Sequence, residues 1–412
     1  MPRDLIVFAG ALYDSPLWTN RQHIATRLAQ RGWRVLYIEP RLLLPRMLLG
    51  RFPGVRGRLP WLLRMNVPWK AAENLWVVAQ FNVFPWSREV RWISLLNHWL
   101  NAWGVWFWAR LLRFQNPTLL LYDTEAAQFL SMFPRAHVVY DCVDDHRAQA
   151  GVDRNPSRVT EEEEQIARRA DAIAVTTEPL RERFLAISPF SRGSERESVR
   201  LVPNAADVQA FLAAKDTEPS DIASIPHPRI GSVGALDAYK VDVPLMAEMA
   251  RTRPDWQFVL VGPVDSIGHR AWGMGHRAWG SGHGAGNVDV ASLRQHSNIH
   301  FLGAKPREQV PSYVHAFDVA IIPYRESPYN RSSFPLKFWE FMATGKPIVA
   351  TGLPSLRPYG QFVTLAASPE SFIAGVEQAL KNPSAGQERR RAEAQKHDWT
   401  ARVAAIEKLL VS

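Results

Sequence analysis

The chain has 412 residues, enough for two domains that each bury a core. Hydrophobic residues make up 46% and charged residues 22%, which excludes a disordered chain, and the single cysteine, Cys142, excludes an internal disulfide framework and fits a reducing compartment. The net charge of +9 and pI near 9.8 point to anionic company, but the excess forms neither a basic helix nor an aromatic RNA-binding motif, so nucleic acid is not expected as a partner.

The N-terminus, MPRDLIVFAG, runs straight into a buried-strand pattern over residues 4 to 10, without the longer apolar run and cleavage site of a secretory signal. A cytoplasmic location is expected. A helical pattern over residues 19 to 31 ends at Gly32, and WRVLYIEP follows as a second strand. Strand, helix, strand is the opening of a doubly wound α/β sheet. The connecting GALYDSPLWTNRQH lacks the G-x-G-x-x-G that a dinucleotide pyrophosphate needs, which argues against a dehydrogenase.

Residues 41 to 70 set seven basic side chains among Leu, Met, Phe and Trp, with no acid. The pattern suits either peripheral contact with an anionic membrane surface or a basic loop folded over its own domain. After the strand LWVVAQ, residues 92 to 109 carry no formal charge, but Ser94, Asn97, His98 and Asn101 recur at helical spacing and would put a polar stripe in lipid. The spacing predicts an amphipathic helix, lying on the sheet or at a membrane interface, rather than a transmembrane span.

TLLLYD and AHVVYDCVDDH are two more buried strands, and the second ends in Asp141, Asp144, Asp145 and His146. The carboxyl edge of a parallel sheet is where such folds place their ligands, and three carboxylates this close are solvated, metal-bound or catalytic. Thr160 and Glu163 match a capping box at the head of TEEEEQIARRA, so the acidic run reads as a cap and not a site. DAIAVTT gives a strand, EPLRERFLA a helix and SPFSRGSERES a surface loop; RLVPNAAD closes the first unit. Residues 208 to 228 read as a linker, and PRIGSVGALDAYKVD opens a second α/β unit in which Gly231 and Gly234 allow backbone to approach a phosphate while Lys240 adds charge. Beyond WQFVLVGP, the repeat GHRAWGM, GHRAWGS makes residues 264 to 297 a glycine-rich flexible insertion rather than a metal site at His269, His276 and His283.

The most informative stretch is Tyr324 to Leu353, YRESPYNRSSFPLKFWEFMATGKPIVATGL. Pro335 falls at the first turn of a helix, Gly345 supplies a left-handed cap, Pro347 prevents continuation, and PIVAT is a strand. Backbone N–H groups near Ser332 and Ser333, their hydroxyls and the Lys337 ammonium meet at the helix start, a setting for a phosphate. Glu340, three residues on, shares the face of Lys337. One face then holds a diphosphate at one end and a hydroxylated ring at the other, which describes a nucleotide sugar; a plain surface ion pair is the other reading.

This stretch resembles, nearly residue for residue, the donor-site signature of GT-B glycosyltransferases of group 1: a loop, P-x-K-x-x-E, then G-K-P-x-V. The resemblance covers about residues 4 to 40 and 117 to 410 and implies an α/β architecture of two doubly wound Rossmann-like domains facing a cleft. It implies an acceptor-binding domain over 1–207, a linker over 208–228, a nucleotide-sugar-binding domain over 229–385 and a terminal helix over 386–412 that crosses back. By the same resemblance Glu340 holds the ribose, the turn after Gly303 meets the base, Tyr324 lies near the nucleotide, and Gly10, Ala11, Arg21 and His23 reach the cleft. The chain departs from the retaining members with Ser332 where their E-x7-E motif begins and Ala235 where they carry an arginine. YDCVDDH resembles the Y-x-x-x-D stretch of inverting GT-B enzymes such as the glucuronosyltransferase of xanthan assembly, whose aspartate is a general base; the matching residue is Asp144, with Asp145 and His146 as alternates. The expected activity is transfer of a sugar from a nucleoside diphosphate donor, UDP being the common choice, to a hydroxyl of a glycan or lipid-linked acceptor. No metal or other cofactor is implied. A nucleotide-sugar epimerase of the same fold and a catalytically silent membrane-associated scaffold remain open.

Overall fold

The apolar runs of the first half pair into one sheet. A computed structural model describes residues 3–15, 18–43, 66–84, 90–148, 156–187, 199–214, 218–236, 240–263 and 290–412. Its strands are β1 (Arg3–Phe8), β2 (Trp33–Ile38), β3 (Leu42–Leu43), β4 (Trp69–Ala72), β5 (Leu75–Val78), β6 (Phe81–Asn82), β7 (Thr118–Leu121), β8 (Val138–Cys142), β9 (Ala172–Val175) and β10 (Val199–Leu201). Eight of them lie in the order β10-β9-β8-β7-β1-β2-β5-β4, parallel except where β4 meets β5, while β3 and β6 pair separately. In the second half β11 (Arg229–Val233), β12 (Gln257–Val261), β13 (Ile299–Gly303), β14 (Val319–Ile322), β15 (Ile348–Thr351) and β16 (Thr364–Ala366) form a parallel sheet in the order β13-β12-β11-β14-β15-β16. Winding reverses between β1 and β7 in the first sheet and between β11 and β14 in the second, and ligands of open α/β sheets bind beyond the carboxyl ends of strands at such points.

The strands read as unbroken apolar runs because both faces of each sheet are covered. Along β1, Leu5 and Val7 enter a core shared with the helices Asn20–Gln30 and Trp399–Val411, while Ile6 and Phe8 enter another shared with the helix Arg91–Leu111. The helix Trp399–Val411 thus packs on the first sheet although it follows the second in sequence, burying Val403, Ile406, Leu409 and Leu410. Arg402 on this helix donates to both carboxylate oxygens of Asp141 at 2.8 Å, with both side chains buried.

The helix Arg91–Leu111 turns Asn97 and Asn101 of its polar stripe inward. Asn97 donates to the Phe84 carbonyl at 2.8 Å and accepts from the Phe84 N–H at 3.0 Å; Asn101 does the same with Phe81 at 2.9 and 3.2 Å. These two amides satisfy backbone groups that leave the sheet after β5. Among the described residues no helix is long and apolar enough to cross a membrane.

Several local expectations are corrected. The acidic helix starts at Pro156, not Thr160, so its glutamates sit in mid-helix: Glu162 accepts from Thr124 Oγ1 at 3.0 Å and Glu163 from the Tyr140 hydroxyl at 3.1 Å, both buried. Gly231 makes room for core packing and not for a ligand, since a Cβ there would stand 2.2 Å from the Phe317 ring. The stretch read as a linker carries two short helices, Val208–Ala213 and Ser220–Ala223, that bury Phe211 and Ile222 in the second core. The helix of the informative stretch is Lys337–Thr344; the turn before it is wound by i to i+3 bonds from Phe338 N to Pro335 O and from Trp339 N to Leu336 O, and Gly345 caps it at φ 77°. Most of the basic segment and of the glycine-rich insertion, with His269, His276 and His283, lie outside the described residues.

Candidate active site

The carboxyl edges of the two sheets face each other across a cleft of about 620 Å3. From the second sheet come Gly234 after β11, Tyr324 after β14, Lys240, Ser333 and the first turns of the helix Lys337–Thr344. From the first come Asp144 after β8 and Trp18, Arg21 and His23 around the start of the helix Asn20–Gln30.

Lys337 and Glu340 line the cleft floor. Lys337 is only 8% exposed, its Nζ stands 5.1 Å from the centre of the Tyr324 ring, and among the described residues it makes no hydrogen bond or ion pair. A buried ammonium in that condition is completed by an anion. Gly234 adopts φ 114°, and a Cβ there would stand 3.4 Å from Lys337 Nζ, so the missing side chain leaves the space before the ammonium open. Burial pushes the Glu340 carboxyl above its ordinary value of 4.5, while Lys337 and Arg307 pull it down and Asp207 pushes it up. Its carboxylate accepts no hydrogen bond among the described residues, so the face shared with Lys337 presents an open cation and an open acceptor to one cavity.

A raised folded-state value means that the folded chain holds this proton more tightly than the unfolded one. The resulting destabilisation is absent below the unfolded value of 4.5 and grows as pH rises through the folded value. Thermal denaturation of Glu340→Gln without ligand is expected to give a higher Tm than the native chain at neutral pH, the gap closing as pH falls below 4.5. Equal melting temperatures at neutral pH would contradict this.

The acidic cluster after β8 is divided among separate partners. Asp141 is bound by Arg402. Burial would raise the Asp145 pKa, but Arg183, at 2.7 Å, and Arg147, at 3.3 Å, hold it below the ordinary value. His146 lies away from the cleft lining, its Nε2 buried without a partner among the described residues. Asp144 alone of the four enters the cleft, where its Oδ1 accepts from the Tyr329 hydroxyl at 3.0 Å and from Ser333 Oγ at 3.2 Å, both of the opposite domain. The expectation that Asp145 or His146 substitutes for Asp144 meets an obstacle here: one is committed to two guanidinium groups and the other is outside the cavity.

His23 is buried and stacked on Trp399 at 4.0 Å, with Arg27 donating to its Nδ1 at 2.7 Å; burial, then Arg307 and Arg27, push its pKa down to about 2, so it is a neutral wall of the cleft. Arg21 lines the cleft with its Nε buried and without a hydrogen-bond partner among the described residues, and Lys240 Nζ stands 5.5 Å from the Tyr329 ring centre. Besides Asp145 and His146, four residues expected at the cleft fall outside its lining: Gly10, Ala11, whose carbonyl accepts from the Tyr37 hydroxyl, Gly303 and Ser332. Gly10 backs onto Asp123, where a Cβ would stand 2.9 Å from its Cβ, and borders a small separate hollow. Gly303 turns at φ 69° at the end of β13, and the residues that reach the cleft after it are Lys305 and Arg307. Ser332 is half-buried, and its carbonyl accepts from Thr177 Oγ1 at 2.9 Å.

Sequence reasoning missed Arg307, Asn204, Trp18 and Trp399, which also line the cleft. Arg307 was signalled by GAKPRE, two basic residues at the mouth of a turn, and is held by Asp207 at 2.8 Å. Asn204 was read as part of a connecting turn; it donates to the Phe334 carbonyl at 3.0 Å and accepts from Asn20 Nδ2 at 2.9 Å, tying the first loop to the donor-side stretch. Trp18 and Trp399 gave no local signal.

Two Rossmann-like domains with a cleft between their carboxyl edges define a GT-B protein. Among solved structures the chain is similar to sucrose-phosphate synthase from Thermosynechococcus elongatus, at TM-score 0.66 and 16% identity over 99% of this chain and 98% of that one. It is similar also to HepE of Anabaena in its complex with UDP-glucose, at TM-score 0.64 and 15% identity over all of both chains. At such identities the likeness concerns the fold. Residues 227–382 match the family model described as Glycosyl transferases group 1. TuaH of Bacillus subtilis, named as a teichuronic acid biosynthesis glycosyltransferase, is 29% identical over 282 residues, which span 65% of this chain and 65% of that protein's length. The family match lies in the second domain, and the fold of the whole chain is GT-B.

Proposed function

We propose that this chain transfers a sugar from a nucleoside diphosphate sugar, a UDP-sugar, to a hydroxyl acceptor. The observation that carries the reading is the pairing of Lys337 and Glu340 on one cleft face, an open cation beside an open acceptor, with Asp144 on the facing wall. The Lys337 ammonium meets the diphosphate beside Gly234, Glu340 accepts hydrogen bonds from the ribose hydroxyls, and Tyr324 flanks the nucleotide. Arg307 adds positive potential beside Glu340. Likeness to a HepE complex that holds UDP-glucose supports the choice of nucleotide.

On the other wall Asp144 takes the proton of the acceptor hydroxyl. The hydroxyl oxygen bonds to the anomeric carbon as the bond from that carbon to the diphosphate oxygen breaks, and the electron pair leaves with the nucleoside diphosphate. Attack from the face opposite the leaving group inverts the anomeric centre. Catalysis comes from positioning, from deprotonation of the acceptor and from Lys337 stabilising the charge on the departing diphosphate. To reach Asp144 the acceptor hydroxyl replaces the bonds from Tyr329 and Ser333. We assign the acceptor to a lipid-linked or cell-surface glycan intermediate, with the protein peripheral on an anionic membrane surface; the basic sequence of residues 41 to 70 and the likeness to TuaH support this.

The test is calorimetric titration of the chain with UDP, GDP, ADP and TDP, repeated on Lys337→Ala. One diphosphate is expected to bind, with affinity falling roughly 10- to 100-fold in the variant, as for the loss of a charge-assisted hydrogen bond. If the folded chain binds none of the four, the donor site is not where we place it and the silent scaffold takes precedence. Isomerisation of a donor with no acceptor present would mark an epimerase.

A further inference from the structure

The helix Arg91–Leu111 carries a feature that the nucleotide cleft does not use. With Asn97 and Asn101 bound to backbone at Phe84 and Phe81, the face turned to solvent is aromatic and aliphatic: Trp92, Leu95, Trp99, Trp103, Trp106 and Leu111 are exposed along it. Trp92, Trp99 and Trp103 are 65%, 62% and 51% exposed, and Trp103 stacks on Phe107 at 5.3 Å. Steps of three and four residues keep Trp92 through Trp106 on one side of the helix. A soluble surface does not leave such a row of indoles in water without a use for it.

We propose that this aromatic face is the seat of the chain on an anionic lipid bilayer, lying in the headgroup boundary parallel to the membrane plane. Tryptophan is the side chain suited to that depth, an apolar body with one N–H for the wet side. Charge agrees. The helix contains no acidic residue, arginines stand at its two ends as Arg91 and Arg110, and Arg113 follows. The sequence between Leu43 and Asn66 adds five arginines and no acid, and Asn66 itself stands beside this helix, where its carbonyl accepts from Trp108 Nε1. Cations around an apolar face match anionic headgroups around acyl chains. A second copy is a poorer occupant, because a two-fold pairing of antiparallel helices sets Arg91 of one against the Arg110 end of the other.

The seat also sets an orientation. Phe81 and Phe84 lie just beyond the carboxyl end of β5, so the half of the helix with Trp92 and Trp99 lies at the cleft edge of the first sheet. Its other end meets the opposite edge, where Arg34 at the head of β2 donates to the Leu112 carbonyl at 3.2 Å. Docked on this face, the first domain presents its cleft edge beside the headgroups, where a lipid-linked acceptor would be delivered; this use rests on the function proposed above, whereas lipid binding itself does not.

The test is flotation of the full chain with vesicles of phosphatidylcholine, with and without about 30% phosphatidylglycerol. The comparison variants are Trp99→Ser with Trp103→Ser, and Leu201→Ser as an exposed control elsewhere. We expect the native chain and the control to float with anionic vesicles and the double variant to bind them roughly tenfold or more weakly, with UDP titration unchanged in all three. A native chain that floats with neither vesicle overturns the proposal. So does a double variant that floats like the native chain, which would leave binding to the basic segment alone. A native dimer that the double variant converts to monomer, with lipid binding unaltered, gives the face to a second copy. Failure to bind UDP would count against the donor site and leave the lipid result standing.

Discussion

Asp144→Asn is expected to lower kcat by roughly a hundred- to ten-thousandfold, the usual contribution of a positioned general base. Asparagine retains a carbonyl oxygen to accept from Tyr329 and Ser333, so the cross-cleft bonds and the fold persist while the proton acceptor is lost. The donor KM should stay near the native value, because Lys337 and Glu340 lie on the other domain. Asp145→Asn tests the neighbouring carboxylate, but its two arginines make it a structural substitution and its effect should appear in stability first. His146→Gln should leave kcat close to native, since that ring does not line the cleft. Near-native turnover by Asp144→Asn would move the base elsewhere.

Arg402→Met should destabilise the chain by about 3–5 kcal/mol, the range for removing one partner of a buried ion pair. The two side chains are 1% and 0% exposed, so Asp141 would be left as an uncompensated carboxylate in the core. Arg402 also donates to the Val202 and Pro203 carbonyls, which lose their donor as well. Urea denaturation checks the size of the loss. The double change Asp141→Leu with Arg402→Met should recover much of it, because an apolar pair avoids the desolvation of both ions. An unaltered midpoint in Arg402→Met would show that the pair does not hold the terminal helix. The consequence reaches the cleft, since Trp399 opens this helix and stacks on His23 in the cleft wall.

Arg402 and Asp144 describe one construction from two sides. The chain crosses back to the first domain after completing the second, and Arg402 anchors it there. Contacts across the cleft include single hydrogen bonds from Tyr329 and Ser333 to Asp144 and from Thr177 to the Ser332 carbonyl. Net contributions of such bonds are about 1 kcal/mol for the neutral one and about 1.5–3 kcal/mol for each bond to the Asp144 carboxylate, small enough to exchange for a substrate hydroxyl that makes an equivalent bond.

What the sequence determined by itself is local. Unbroken apolar runs marked parallel strands covered on both faces, Gly345 marked the end of a helix, and Lys337 with Glu340 shared a face because three residues make most of a helical turn. Even the amphipathic helix was legible as a period, but not the direction of its faces. Periodicity says that Asn97 and Asn101 lie on one side; only the backbone at Phe81 and Phe84 decides that this side points inward and leaves the tryptophans outside. The acidic cluster makes the same point for chemistry. Asp141, Asp144 and Asp145 are equivalent by composition and spacing, and their roles separate only when Arg402 and Arg183, distant in sequence, arrive beside two of them and leave the third facing the cleft. Charge in a protein interior is set by which opposite charge packs against it, and that neighbour is chosen by the tertiary fold.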